Sequence, residues 1–286
     1  MSYDDYYDDI EKPIREDAYQ VQALELIKEI INKNKNDVFY TKQLQILIED
    51  RIFHWVTARA IEDLLEKGGK YLSSRDKKSD AHVIWHRSNR YYKRKSKALA
   101  RLIEKHSDIS VSEGCGYEAN NLFYIALTEK GFKYIGKNVN IFKRKKWIKT
   151  KHDLDYILEK DGVFYGIEIK NSFDYIDNKE MEIKLEMCEY LGLKPLFIMR
   201  NAPKTYNRMI NNYGGYAMIF VSKIFPLSLK TLAKEINSSL FKKYSKEKYC
   251  DAPRSIPEGM VDRFVNWHEK HVKTKRIHRI RKGARR

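Results

Sequence analysis

The chain has 286 residues, 42% of them hydrophobic, and a formal charge of +17 from 56 Lys and Arg against 39 Asp and Glu. The apolar content excludes a wholly disordered chain, the length allows two modest domains, and the charge favours a polyanionic partner, nucleic acid before an acidic membrane surface. Cys115, Cys188 and Cys250 are far apart and lack a CxxC pair, and there is no long apolar run or signal peptide, so a disulfide scaffold, a zinc knuckle and a membrane anchor are all disfavoured and a soluble protein of the reducing cytoplasm is expected.

Residues 1–17 hold seven acids and two basic residues, which reads as a flexible acidic arm over 1–18. Val21, Leu24, Ile27 and Ile31 then recur at helical spacing. A second helix is expected over 41–51 with Thr41 as its cap, and a third from His54 to a stop at Gly68-Gly69. Two β-type segments, GKYLSSRD and AHVIWHRSN, flank a polar loop. In FYTKQLQILIEDRIFHWVTARAIEDLLEKGGKYL this order resembles a winged helix, placed at 19–92. That resemblance implies a third helix presenting His54, Trp55, Thr57 and Arg59 to a major groove, with Lys77, Lys78 and Arg87 of the wing on phosphates. Glu62, Asp63 and Glu66 on the same helix would repel phosphate, so a protein partner for this module or for the acidic arm is the other reading, and Trp55 fits a core equally well.

A basic helix over 90–106 leads into a second half of alternating helices and short apolar strands, expected as a mixed sheet covered by helices. Residues 226–286 read as surface helices and a basic tail, KTKRIHRIRKGARR, suited to nucleic acid. Within the second half, HDLDYILEKDGVFYGIEIKN forms a hairpin about a turn near Lys160 to Gly162. Its apolar strands carry Asp153, Asp155, Glu168 and Lys170 near the ends away from that turn. Residues two apart share a strand face, so Asp153 and Asp155 are expected on one face, as are Glu168 and Lys170, and the turn brings Asp155 close to the Glu168 end of the partner strand. Two carboxylates placed together repel unless a divalent cation joins them, and oxygen ligands on a rigid sheet suit Mg²⁺.

Asp155, twelve intervening residues and then Glu168-Ile169-Lys170 resemble the D…(D/E)xK hairpin of the PD-(D/E)xK nuclease superfamily. Of the four acid-x-Lys matches, at 76, 168, 177 and 182, the one at 168 ends an apolar β-type run, and the one at 182 falls in a helix pattern. The resemblance spans roughly 112–221 and implies a restriction-endonuclease-like α/β core over 93–225 with α-β-β-β-α-β order. It implies that Asp155, Glu168 and the Ile169 carbonyl bind Mg²⁺ (Mn²⁺ substituting), that Lys170 is the catalytic lysine, and that Glu118, expected in the first turn of a helix over about 117–130 with Leu122, Ile125 and Ala126 inward, is an outer ligand. No proline precedes the acid, a departure from the family pattern. Asp153 and His152 stand beside the set without an assigned role.

From Lys130 to Lys151 there are nine Lys or Arg and no acid, so Lys143, Arg144, Lys145, Lys146 and Lys149 are candidate phosphate contacts. Phe142 and Trp147 suit either base stacking or a core. The expected activity is metal-dependent DNA endonuclease, acting on double-stranded or branched DNA and suited to a homodimer. A non-catalytic DNA-binding protein on a nuclease-like scaffold, or an RNA-processing nuclease, is the alternative.

Overall fold

The structure is a computed structural model that describes residues 17–273; the arm at 1–16 and the tail at 274–286 lie outside the described residues. The chain is mixed α and β, and it divides between Arg101 and Leu102 into two compact units, a boundary that falls inside the basic helix.

The first unit runs α1 (Ala18–Lys33), β1 (Val38–Tyr40), α2 (Thr41–Leu47), α3 (His54–Glu66), β2 (Tyr71–Arg75) and β3 (His82–His86). Asp17 caps α1 by accepting from the Tyr19 N–H, and α3 gives way to Gly68 and Gly69, both at positive φ. The three helices bury Leu24, Ile27, Ile31, Leu44, Ile61 and Leu64, while Val21 is left exposed. The antiparallel sheet has the order β1-β3-β2; β1, a short strand that the sequence pattern does not announce, pairs Phe39 with Ile84. Helix α4 (Tyr92–Ser107) follows.

The second unit begins with α5 (Ile109–Glu129), then β4 (Lys133–Val139), a small hairpin of β5 (Ile141–Phe142) and β6 (Lys145–Lys146), β7 (Leu154–Lys160), β8 (Val163–Lys170), α6 (Asn178–Leu191), β9 (Lys194–Met199), α7 (Lys204–Asn212) and β10 (Tyr216–Ile219). After these come β11 (Lys223–Ile224), α8 (Lys230–Ile236), β12 (Cys250–Asp251) and α9 (Glu258–Trp267), which continues as a wider helical turn through His268–Lys273. The main sheet has the order β10-β9-β8-β7-β4, antiparallel from β4 to β8 and parallel from β8 to β10.

Both faces of this sheet are covered. Tyr156, Leu158, Tyr165, Ile167, Leu196 and Ile198 pack with Phe123 and Leu127 of α5 and with Val261 and Phe264 of α9. The other face meets α6 through Ile157, Met187 and Cys188, and α7 through Phe197 and Ile210. The surface helix expected near 259–271 is therefore a core element. Phe264 and His268 are both fully buried one turn apart, and complete burial of a phenylalanine stabilises by about 1.5–3 kcal/mol. Helix α5 starts eight residues before the expected 117, because Asp108 caps it by accepting from the Ser110 N–H. Glu118 consequently sits in its third turn, where the N-terminal dipole gives it little, and Ile125 points out, 41% exposed.

Candidate metal and phosphate site

The hairpin of β7 and β8 is closed by two residues, Asp161 and Gly162, both at positive φ, which matches the twist of the strands. Pairing runs from Lys160 with Val163 to Tyr156 with Ile167. One residue further, continuation of the same register would set Asp155 opposite Glu168, whose side chain lies on the face that α6 covers. The next ladder bond is replaced: Asp155 Oδ2 accepts from the Ile169 N–H at 2.7 Å. The strands part at this point, and the Asp155 carboxylate sits in the fork, its Oδ1 accepting from Asn120 Nδ2 of α5 at 3.2 Å.

Glu168 is 6% exposed. Its Oε2 accepts from Lys184 Nζ at 2.6 Å, and Lys184 also donates to the main-chain carbonyl of Asp153. Lys184 is itself buried, on the inward face of α6 with Met181, Leu185 and Cys188. Gly166 lets α6 come this close, since a Cβ there would meet Cys188 Sγ at 2.7 Å and Leu154 Cδ1 at 2.8 Å. Lys170 is only half-buried and reaches Glu180 Oε2, in the first turn of α6, at 3.4 Å.

Burial pushes the Asp155 carboxyl above its ordinary pKa, against the Ile169 N–H and Lys184, which pull it down. Burial likewise pushes Glu168 up to about 8, with the Asp155 charge adding to the rise and Lys184 opposing it. Desolvation works against the Lys184 ammonium, but the Glu168, Asp155 and Asp153 carboxylates outweigh it and keep its pKa above the usual lysine value. Two carboxyls whose ionised forms are disfavoured by burial, Glu168 by the Asp155 charge as well, make a donor set that a divalent cation would relieve, so the residues present fit Mg²⁺.

No family model, curated protein or solved structure matches the chain. The reading of the site therefore stands on its geometry.

Of the candidate residues, Asp155, Glu168 and Ile169 meet at the fork and Lys170 lies at its rim. Glu118 is half-buried on α5, where burial raises the Cys115 thiol and the Glu118 charge adds a smaller push; the α5 residue that touches Asp155 is Asn120. Asp153 precedes β7, so strand alternation does not govern it, and its side chain is exposed. His152 Nδ1 is engaged with Thr150 Oγ1 at 2.9 Å. Phe142 and Trp147 are core residues packed with Leu154 and Met187, and do not present their rings to a base. Lys143 and Arg144 form the tip of the β5–β6 hairpin, both at positive φ. Lys145 donates to the Tyr190 carbonyl at 2.8 Å, Lys149 pairs with Glu186 at 3.2 Å, and Lys146 is exposed.

In the first unit, His54 and Thr57 are buried rather than presented: His54 pairs with Glu49 at 2.8 Å and the Thr57 hydroxyl donates to the Phe53 carbonyl. Trp55 is 49% exposed and stacked on Phe53, and Arg59 pairs with Asp17 at 2.7 Å. Lys77 and Lys78 are exposed in the β2–β3 loop, and Arg87 donates to the Gly69 carbonyl.

Lys184 is the residue that sequence reasoning passed over. It stands in the EIK match at 182, set aside as helical. The available signal was a lysine inside the apolar stripe Met181, Leu185, Cys188. A separate group, Asp161, His268 and Glu269, has ligand atoms within 4.8 Å of one another. There His268 is engaged through both nitrogens, Nδ1 with the Tyr165 hydroxyl at 2.6 Å and Nε2 with Asp161 at 3.2 Å, and so fastens the segment after α9 to the hairpin turn. Among the described residues no helix is long and apolar enough to cross a membrane.

Proposed function

We propose that the protein is a metal-dependent DNA endonuclease with a restriction-endonuclease-like PD-(D/E)xK core and an N-terminal winged-helix unit. The observation that carries this reading is the meeting of Asp155 and Glu168 at the fork of β7 and β8, with both pKa values raised. The succession α5, β4, β7, β8, α6, β9 supports the core, and helices followed by the β2–β3 hairpin support the winged helix.

Asp155 and Glu168 would hold Mg²⁺, or Mn²⁺ in its place. The Ile169 carbonyl is a third ligand on this reading, since it points to the same side of β8 as the N–H that Asp155 receives. Glu118 would act through water. Such an ion supplies a more acidic water and positive charge beside a phosphate. Lys184 fixes the orientation of Glu168, while Lys170, held by a long 3.4 Å contact, is able to turn to a phosphate oxygen. Lys143 and Arg144 occupy turn positions that disfavour side chains, a local cost of order 1 kcal/mol or more each that is offset if their charges grip a backbone at the tip. Three buried free thiols fit a reducing cytoplasm, and pairing of two chains would let one site per chain cut both strands.

A second reading, a DNA-binding protein with an idle nuclease-like scaffold, draws on the Lys184–Glu168 pair, which already gives the buried carboxylate a counter-charge. Incubation with plasmid, forked and junction DNA, with and without Mg²⁺ or Mn²⁺, separates the two. Metal-dependent cutting that is lost in Glu168→Gln is expected; binding with no cutting under any metal leaves the second reading.

A further inference from the structure

The first unit keeps its unpaired positive charge away from α3. On α3, Glu62 and Glu66 are exposed, and Arg59 is neutralised by Asp17. A cavity of about 360 Å³ lies instead between the β2–β3 hairpin and α4. Ser74 and Arg75 line it from β2, and Tyr92, Lys93, Ser96 and Lys97 from α4.

The charges on its wall are not equivalent. Arg75 is occupied by Asp80, both carboxylate oxygens lying 3.0 and 3.1 Å from Nη1. Asp76, also on the wall, accepts from the N–H groups of Lys78 and Ser79 and from the Ser79 hydroxyl, so its charge is spent within the loop. Lys93 and Lys97 are exposed, and among the described residues no acid pairs with either. They stand four residues apart on one face of α4, where like charges repel and weaken the helix. The neighbouring Lys95 differs, being tied to Asp37 and to the Asn36 carbonyl. Between the two free lysines, Ser96 Oγ is shielded from solvent and has no hydrogen-bond partner. A shielded hydroxyl of this kind has room for a small partner such as water, so the two lysines are the groups open to a larger ligand. The wall beneath is stiff, because the Tyr92 ring stacks on Trp85 at 4.6 Å.

We propose that this cavity grips the sugar-phosphate backbone of a DNA duplex, with Lys93 and Lys97 on adjacent phosphates of one strand. Two exposed lysines on a helix face suit a polymer lying along the surface better than a small enclosed anion, which would call for a buried cation. The proposal rests on the DNA-binding part of the function above and is independent of the metal site.

The test is duplex binding by the full chain, followed by fluorescence anisotropy across a salt series. Wild type is compared with Lys93→Ala/Lys97→Ala and with Lys28→Ala/Lys33→Ala, which removes the same charge from α1. Alanine is well tolerated on a helix surface, so both variants are expected to fold. The slope of log affinity against log salt should fall by about 2 in the cavity variant and stay at the wild-type value in the α1 variant. A cavity variant with the wild-type slope, or one matched by the α1 variant, overturns the proposal. So does displacement of the duplex by inorganic phosphate at constant ionic strength that is lost in the cavity variant, which would mark a small-anion pocket. Failure of the wild type itself to bind duplex is a different result and removes the DNA reading as a whole.

Discussion

The two hairpins β2–β3 and β7–β8 both carry charged residues and treat them in opposite ways. In the first, β2 is exposed beyond Tyr71, the loop carries Asp76, Lys77, Lys78 and Asp80, and its Arg75–Asp80 pair lies at the surface. In the second, both faces are covered, the turn needs two residues, and Asp155 and Glu168 sit at the base with their ionised forms disfavoured. A charge on an exposed strand costs little and says little about function. A carboxylate on a strand buried on both sides costs several kcal/mol unless something answers it, so its presence is informative. Here Lys184 answers one oxygen of Glu168, which leaves room for a cation to answer the rest.

That contrast can be broken by substitution. Lys184→Ala leaves Glu168 buried without its partner, and urea unfolding should show a loss of about 3–5 kcal/mol. Millimolar Mg²⁺ should recover part of it if Glu168 holds the ion, and the double variant Glu168→Gln/Lys184→Met should lose less than Lys184→Ala alone. An equal loss in both would mean that the pair is not coupled. Gly166→Ala forces Cys188 and Leu154 apart from β8, and a loss of about 1–3 kcal/mol is expected by the same measurement as α6 carries Lys184 outward.

Acid tests the second unit elsewhere. Burial, with the Lys223 charge adding to it, pushes His106 down to about 3, and its Nε2 takes the Lys223 contact at 3.0 Å. The unfolded chain takes up a proton on this imidazole near pH 6.5 while the folded one resists, so stability falls as pH drops from about 6.5 towards 3. Thermal melts should show that decline, and His106→Gln should flatten it. The smallest effects belong to the surface pairs: Arg59→Ala and Arg75→Ala should each cost under about 1 kcal/mol. A cost for Arg75→Ala rivalling that of Lys184→Ala would erase the difference between the hairpins.

Much of the second hairpin was legible because strand alternation and a turn containing Gly162 are local features. They predict which side chains share a face before any packing is known. The order of helices and strands was legible for the same reason. Partners that depend on how a helix is rotated against a sheet were not: Lys184 joins Glu168, and Asn120 rather than Glu118 reaches Asp155, through docking that no local pattern states. His54 and Thr57 are expected outward because the winged-helix resemblance turns the start of α3 to a groove, yet Glu49 and the Phe53 carbonyl satisfy them inside. The last helix misled because Phe264 and His268 carry an apolar stripe across residues that look polar one by one.

The two-residue turn at Asp161 and Gly162 also decides where the chain tolerates added length. With Lys160 locked to Val163, the distance from turn to fork is a fixed even count along each strand. One residue inserted between Phe164 and Ile167 would rotate Glu168 to the opposite face of the sheet, beside α5 and α9 and away from Lys184. An insertion of two keeps the face but shifts the rung. The β2–β3 loop has no such arithmetic, so a peptide tag placed between Lys77 and Lys78 leaves the fork intact. The same tag at Phe164 dismantles it.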